Sequence, residues 1–190
     1  MRDVFELERT TNIRATSYIL SYPHILSYFA NRSPLDVADF VRGAHLVYGW
    51  MPTALDLYPQ PPNLTLAQAA SLLESARAQG TISDEHLSAL VSVVNNSLVG
   101  TSKLLHFVRP DVFPIWDNKI YSYVFEEKPH HYRLSDISKF REFARRVNAI
   151  RADKRFGGFH ASVNLKVGYQ VSEPRAVDLI MFLNGPSFGS

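Results

Sequence analysis

The chain has 190 residues, a net charge of +2 and no cysteine, although 46% of its residues are hydrophobic. Without cysteine it can hold no disulfide, thiolate zinc site or iron–sulfur cluster, and it has no cysteine nucleophile. The charged N-terminal segment lacks the apolar run of a signal peptide, and no apolar run approaches the ~18 residues of a membrane span. We therefore expect a cytoplasmic or otherwise intracellular protein that does not enter a membrane.

Hydrophobic spacing predicts helices from the N-terminus onward. Residues 1–32 carry an aromatic-rich face at helical spacing, and Pro23 should kink or split this segment because proline lacks the N–H donor. Ser33 followed by Pro34 is typical of a helix start, with serine as the N-cap and proline in the first helical position. We expect this second helix to end near Gly49.

The middle of the chain has clear helix boundaries. Prolines make residues 52–63 an extended loop. Thr65 precedes an alanine-rich helical pattern that Gly80 should end, because glycine adopts the left-handed conformation common at helix C-termini. Ser83 precedes another helical pattern. These residues predict two capped helices in succession.

The last third of the chain is also predicted to be helical. Ser135 should cap a long amphipathic helix, residues 156–159 should form a flexible turn, and residues 174–183 should form a final helix. No stretch shows sustained strand alternation. We therefore predict an all-α fold of about eight to ten helices. It would form a single domain over residues 1–190, or two helical lobes around a central cleft.

Charge is unevenly distributed along the chain. Residues 128–170 contain ten Lys or Arg and three Asp or Glu, a local balance of +7, so the remainder of the chain sums to −5. A basic segment on an otherwise acidic protein indicates a surface for a polyanion, or else a solvated helix face. Adjacent histidines at 130 and 131 point in different directions on most backbones, so we expect no metal site.

Residues 95–124 form the central stretch of the chain, in which the candidate functional residues are found. A turn over residues 97–102 is expected between two helices, with Lys103 opening the second helix. Pro110 should end that helix near Arg109, because proline disfavours helix at the preceding residue. Asp117 stands in an N-cap position directly before the helical pattern of residues 118–125. One lysine and one carboxylate are thus expected at two helix starts, 14 residues apart.

This arrangement resembles the helix-hairpin-helix DNA glycosylases, in particular the 8-oxoguanine glycosylase branch. The family has an apolar–glycine hairpin, a lysine in its bifunctional members, and a proline-containing stretch that ends in an essential aspartate. Here Val99-Gly100-Thr101 matches the hairpin turn, within a central hairpin region at residues 86–125. Lys103 matches the nucleophile and Asp117 the essential aspartate.

The resemblance implies a base-excision enzyme that acts on a flipped damaged or modified base in double-stranded DNA, with or without Schiff-base lyase activity and without a cofactor or metal. Phosphate contacts would come from the start of the second hairpin helix and from the downstream basic helix. Aromatic faces that stack on bases would form the pocket. The phosphate-contacting residues are Val99, Gly100, Thr101, Ser102, Lys139, Arg145, Arg146 and Arg151, and the pocket residues are Trp50, His106, Phe113, Trp116 and Phe159.

Two other functions remain open from the sequence. A catalytically silent nucleic-acid-binding module would use the same hairpin and the same basic segment. A protein-interaction domain would use neither. For the five aromatic residues, packing in the core is the alternative role, and the sequence does not determine the oligomeric state.

Overall fold

The computed structural model describes residues 2–51 and 53–186, and this part of the chain is all-α, as predicted. An isolated bridge between Leu57 and Val94 is the only β pairing among the described residues. Eleven helices are seen there: α1 Val4–Thr10, α2 Ser17–Ala30, α3 Val37–Trp50, α4 Leu66–Gln79, α5 Asp84–Val93, α6 Leu98–Val108, α7 Asn118–Phe125, α8 His131–Leu134, α9 Ile137–Arg151, α10 Phe156–Val167 and α11 Glu173–Asn184.

The chain divides into two compact units. One unit comprises Thr16–Phe113 and contains helices α2 to α6. The other unit combines Met1–Ala15 with Pro114–Ser190, and so contains α1 and α7 to α11. The boundary between Phe113 and Pro114 falls inside the stretch 95–124. Lys103 therefore belongs to the first of these units, the Lys103 unit, and Asp117 belongs to the second, the Asp117 unit.

Helix α6 is the centre of the Lys103 unit. It contacts α2, α3, α4 and α5, and ten of its eleven residues are buried. Its sequence is apolar around most of its circumference, which is the pattern of a helix surrounded by others. A small number of polar side chains, Lys103 among them, are therefore enclosed in this unit.

Helix α11 has the same place in the Asp117 unit. It contacts α1, α7, α9 and α10, and a continuous run of its residues, Pro174 to Met181, is buried. Ser172 caps the helix by accepting the N–H of Arg175 at 3.3 Å. Because the run is buried on all sides, it also encloses two charged side chains, Arg175 and Asp178.

Four predicted helix boundaries, at Thr65, Gly80, Ser83 and Asp117, lie where they were predicted. Thr65 accepts the N–H of Gln68, while the Gln68 side chain accepts the N–H of Thr65, so the two form a capping box at the start of α4. Gly80 ends α4 with a φ of 67°, in the left-handed region that favours glycine. Ser83 caps α5 and Asp117 caps α7.

Pro23 does not split the N-terminal segment, so that part of the prediction is wrong. Pro23 lies inside α2, and the break falls at residues 11–16. Thr11 ends α1 in an extended conformation and its hydroxyl donates to the Leu7 carbonyl at 2.7 Å, a side-chain bond that competes with helix continuation. The buried face of α2 outweighs the one donor that Pro23 lacks.

Three further boundaries differ from prediction. The helix expected at Ser33-Pro34 begins at Val37, because Asp36 forms a capping box with Asp39. Asp136, not Ser135, caps α9 by accepting two backbone N–H groups. Residues 156–159 are the start of α10, where the rings of Phe159 and Phe5 pack with centroids 5.4 Å apart. This aromatic burial outweighs the low helix propensity of the two glycines.

Candidate functional site

Lys103 lies in the second turn of α6, so the prediction that it opens the helix is wrong. Ser97 is the N-cap, and its hydroxyl accepts the N–H of Gly100 at 3.1 Å. The helix therefore starts at Leu98, five residues before the lysine. The macrodipole acts mainly within the first turn, so Lys103 lies beyond its main effect.

The side chain of Lys103 is buried in an aromatic environment. It is 7% exposed, and its ammonium lies 6.0 Å from the centre of the Trp50 ring, at the outer limit of a cation–π contact. Trp50 stacks on Tyr18 with a centroid distance of 3.8 Å, and its indole N–H donates to the Tyr18 carbonyl at 2.9 Å. These two contacts fix the orientation of the Trp50 ring beside Lys103.

His106 links α6 to α2 and to Phe113, in the segment that follows α6. Its Nδ1 lies 2.7 Å from the Phe113 carbonyl, and its Nε2 lies 2.8 Å from the Tyr22 hydroxyl. A carbonyl only accepts, so Nδ1 carries the proton and Nε2 accepts from Tyr22. His106 is fully buried and thus fixes the backbone at Phe113, whose side chain is itself 4% exposed.

Asp117 is a buried N-cap. It is 5% exposed, and its Oδ1 accepts the N–H of Ile120 at 2.9 Å. Its second oxygen, Oδ2, accepts no hydrogen bond from the described residues of its own unit. A carboxylate at a helix start is favoured by the partial positive charge there. Asp117 is therefore held at the start of α7 by one of its two carboxylate oxygens.

The residues before Asp117 are held by hydrogen bonds within the same unit. The N–H of Ile115 donates to Oδ2 of Asp178 at 2.9 Å, and Asp178 is paired with Arg175. Trp116 is fully buried, and its indole N–H donates to the Leu134 carbonyl at 3.0 Å. Sequence analysis missed Arg175 and Asp178. The sequence feature that could have identified them is an opposite-charge pair, three residues apart, within an otherwise apolar helical run.

Burial raises the pKa of Asp178 to about 7, although Arg175 and the Ile115 N–H both favour the charged carboxylate. This lies above the ordinary value of 3.8, so the folded protein holds the proton more tightly than the unfolded chain. The resulting stability is fully present below about pH 4 and is lost as the pH rises through about 7.

We therefore predict that the free energy of unfolding of the wild type falls between pH 5 and pH 8 relative to that of Asp178→Asn, which has no proton to lose at this position. Urea unfolding of both proteins across this range measures the difference. Two curves that stay parallel would show that Asp178 keeps an ordinary titration.

The predicted hairpin turn belongs to α6. Residues 98–102 are helical, and the connection between α5 and α6 is Val94 to Ser97, where Asn95 and Asn96 have φ values of 58° and 47°. Thr101 and Ser102 are fully buried, and Ser102 donates to the Val99 carbonyl at 2.8 Å. The predicted turn boundary is thus wrong, because the helix has its own cap at Ser97. Phosphate contacts of these residues stay a prediction.

Gly100 has a packing role at this position. A Cβ there would lie 2.0 Å from the hydroxyl oxygen of Tyr48, which is 2% exposed. Only glycine therefore allows α3 to approach α6 this closely. The hydroxyls of Tyr48 and Thr101 are buried without a hydrogen-bond partner among the described residues.

Gly100→Ala is expected to lower the free energy of unfolding by about 1–3 kcal/mol, because Tyr48 has to shift to make room for the methyl group. The matched control is Gly49→Ala in α3, where an added Cβ meets nothing within 4 Å. That change should stabilise the protein by up to about 1 kcal/mol through helix propensity. Denaturant unfolding of both variants checks the prediction, which fails if both changes stabilise.

The predicted phosphate-binding side chains of α9 differ in their surroundings. Arg146 pairs with Glu142 and Arg151 with Glu173, so both guanidinium groups have internal partners. Lys139 lies 4.3 Å from the centre of the Phe125 ring. Arg145 is exposed and forms no ion pair or hydrogen bond with the described residues. Arg145 is therefore the most accessible of the four for a phosphate.

The five predicted pocket residues all lie in the core. Trp50, His106 and Phe113 belong to the Lys103 unit, and Trp116 and Phe159 belong to the Asp117 unit. None is more than 7% exposed. Their packing roles are thus clear, and stacking on a base stays a prediction.

Among residues 2–51 and 53–186, no group of three His, Asp or Glu side chains is placed to hold a metal ion. In the same residues, no helix has both the length and the apolar character needed to cross a membrane. Comparisons with protein-family models, with curated proteins and with solved structures find no match to this chain.

Proposed function

We propose that the protein is a DNA glycosylase that removes a damaged or modified base from double-stranded DNA, with Asp117 and Lys103 as its catalytic residues. The observation that supports this best is the state of Asp117. It is a buried carboxylate at the N-terminus of α7, with one oxygen held by the cap and no hydrogen bond to the other from the described residues of its own unit. Such a carboxylate is the group that cleavage of an N-glycosidic bond requires.

Asp117 would act on the positive charge that develops in the sugar. As the bond between C1′ and the base nitrogen lengthens, the deoxyribose takes on oxocarbenium character and the base takes the electron pair. A fixed carboxylate stabilises that charge without reorganisation, because its orientation is already set by the cap. Little of Asp117 is exposed to water, which strengthens the interaction.

Lys103 would act as a nucleophile in the form of its neutral amine. The amine attacks C1′, the base leaves with the electron pair of the broken bond and takes up a proton, and the sugar ring opens to give a Schiff base. Loss of a proton from C2′ then expels the 3′ phosphate and cleaves the strand. Burial beside Trp50 supports this role, since it shields the amine and the Schiff base from bulk water.

Binding of the duplex would use the basic segment. Residues 128–170 carry a balance of +7, and Arg145 on α9 is exposed. Phosphate contacts of this kind hold the duplex without reading its sequence. Affinity should accordingly fall steeply as the salt concentration rises.

Borohydride trapping tests the role of Lys103. Wild-type protein is incubated with duplexes that each contain one lesion, in the presence of sodium borohydride, which reduces a Schiff base to a stable adduct. The wild type and the control Arg42→Gln, a change at an exposed basic residue outside the basic segment, should give the adduct, and Lys103→Gln should not. If Lys103→Gln releases base at the wild-type rate and no protein gives an adduct, Lys103 is not the nucleophile.

The second candidate function is a catalytically silent nucleic-acid-binding module. It is favoured by the burial of Lys103 and of all five predicted pocket residues, since none is more than 7% exposed. Salt-dependent binding to DNA without release of any base would support this alternative over the glycosylase. Absence of binding at every salt concentration would support a protein-interaction domain.

A further inference from the structure

Helix α11 carries a charged pair in the core of the Asp117 unit. Arg175 is 2% exposed, Asp178 is fully buried, and the guanidinium contacts Oδ1 of the carboxylate. Taking both charges out of water is costly, and apolar side chains of similar size would often be as stable or more so. Packing alone therefore does not explain why this helix has a charged pair here.

The other carboxylate oxygen has a specific partner. Oδ2 of Asp178 accepts the N–H of Ile115, at 2.9 Å, in the segment that leads to α7. Ile115 is fully buried, and among the described residues of its unit no other side chain accepts this N–H. An apolar residue at position 178 could fill the space but could not accept this hydrogen bond, and a buried N–H without a partner is destabilising.

Ile115 lies two residues before Asp117. Between them, Trp116 is fully buried with its indole bonded to Leu134, and Asp117 is extended, with a φ of −160° and a ψ of −179°. With Ile115 and Trp116 both held, the segment has little freedom to rotate before the cap at Ile120. The direction of the Asp117 carboxylate therefore depends on the hydrogen bond at Ile115.

We propose that Arg175 and Asp178 are positioning residues, which orient the Asp117 carboxylate by holding the N–H of Ile115. Asp178 supplies the acceptor, and Arg175 keeps Asp178 in place. This inference rests on the proposed function, in which the orientation of Asp117 sets the rate of bond cleavage. A displacement of a reacting group by about 1 Å can cost about 10²-fold in rate.

Two double variants isolate the hydrogen bond. Arg175→Met/Asp178→Asn removes both charges and keeps a carbonyl oxygen that can accept the Ile115 N–H. Arg175→Met/Asp178→Leu removes both charges and that acceptor, with a side chain of the same branching but larger volume. Since neither variant leaves an unpaired buried charge, both should fold.

Single-turnover base release, with protein in excess, is the activity measurement. The leucine variant should be about 10²-fold slower than the asparagine variant, with the same affinity for DNA. In a background of Asp117→Asn the two variants should differ little, because Asp178 acts through Asp117. An equal loss in both backgrounds would show a general structural role and overturn the proposal.

Hydrogen exchange gives a test that does not need activity. The amide of Ile120, which donates to Asp117, should exchange faster in the leucine variant than in the asparagine variant, and the amide of Phe159, bonded to Arg155, should not change. An unchanged Ile120 amide would overturn the positioning role. If the wild type releases no base, the proposed function fails, and this comparison still decides whether Asp178 holds Asp117.

Discussion

Asp117→Asn is expected to lower the single-turnover rate of base release by about 10³-fold, with the affinity for DNA unchanged. Asparagine caps helices as well as aspartate does, so the bond to the Ile120 N–H and the start of α7 should be preserved. The change therefore removes the negative charge and little else. A loss of rate would be a loss of transition-state stabilisation, not of folding.

The matched control is Asp36→Asn, which makes the same substitution at the N-cap of α3. It should release base at the wild-type rate, because the cap is kept and Asp36 has no part in the reaction. Gel separation of the products, after alkaline cleavage at the abasic site, gives both rates. If the two variants react equally fast, Asp117 has no catalytic role.

Arg175→Met is expected to lower the free energy of unfolding by about 3–5 kcal/mol at pH 8, since it leaves the Asp178 carboxylate buried without its cation. The loss should be smaller at pH 5. Burial already raises the pKa of Asp178, and removal of Arg175 raises it further, so at low pH the carboxyl is neutral and needs no partner. Arg175→Met/Asp178→Leu should recover much of the loss.

The chain offers a matched control at the surface of the same unit. Arg9 and Glu6 also form a pair at three-residue spacing, but their side chains are 70% and 60% exposed. Arg9→Met should therefore change the free energy of unfolding by less than about 1 kcal/mol. Urea unfolding at pH 5 and pH 8 compares the two variants. Equal effects at both positions would mean that the buried pair contributes no more than an exposed one.

The sequence predicts the features of this fold that depend on a few neighbouring residues. The cap at Thr65, the left-handed Gly80 and the cap at Asp117 all follow from local hydrogen bonding or backbone freedom. The all-α class follows from helical spacing over many segments. For the candidate site, the same logic places Asp117 correctly at the start of α7.

Features that depend on distant contacts were not predicted. Gly100 was interpreted as a turn residue, although its role is to admit the Tyr48 hydroxyl from α3. The glycines at 157 and 158 lie in a helix because Phe159 packs on Phe5, far away in the sequence. The Arg175–Asp178 pair has the spacing of an ordinary surface pair, and only burial and the bond to Ile115 give it a distinct role.

Base release from a panel of duplexes, each with one damaged or modified base, tests the proposed activity most directly. The wild type should release a base from at least one duplex in the panel, and Asp117→Asn should release that base about 10³-fold more slowly. Salt-dependent binding to these duplexes with no base released from any of them would contradict the account.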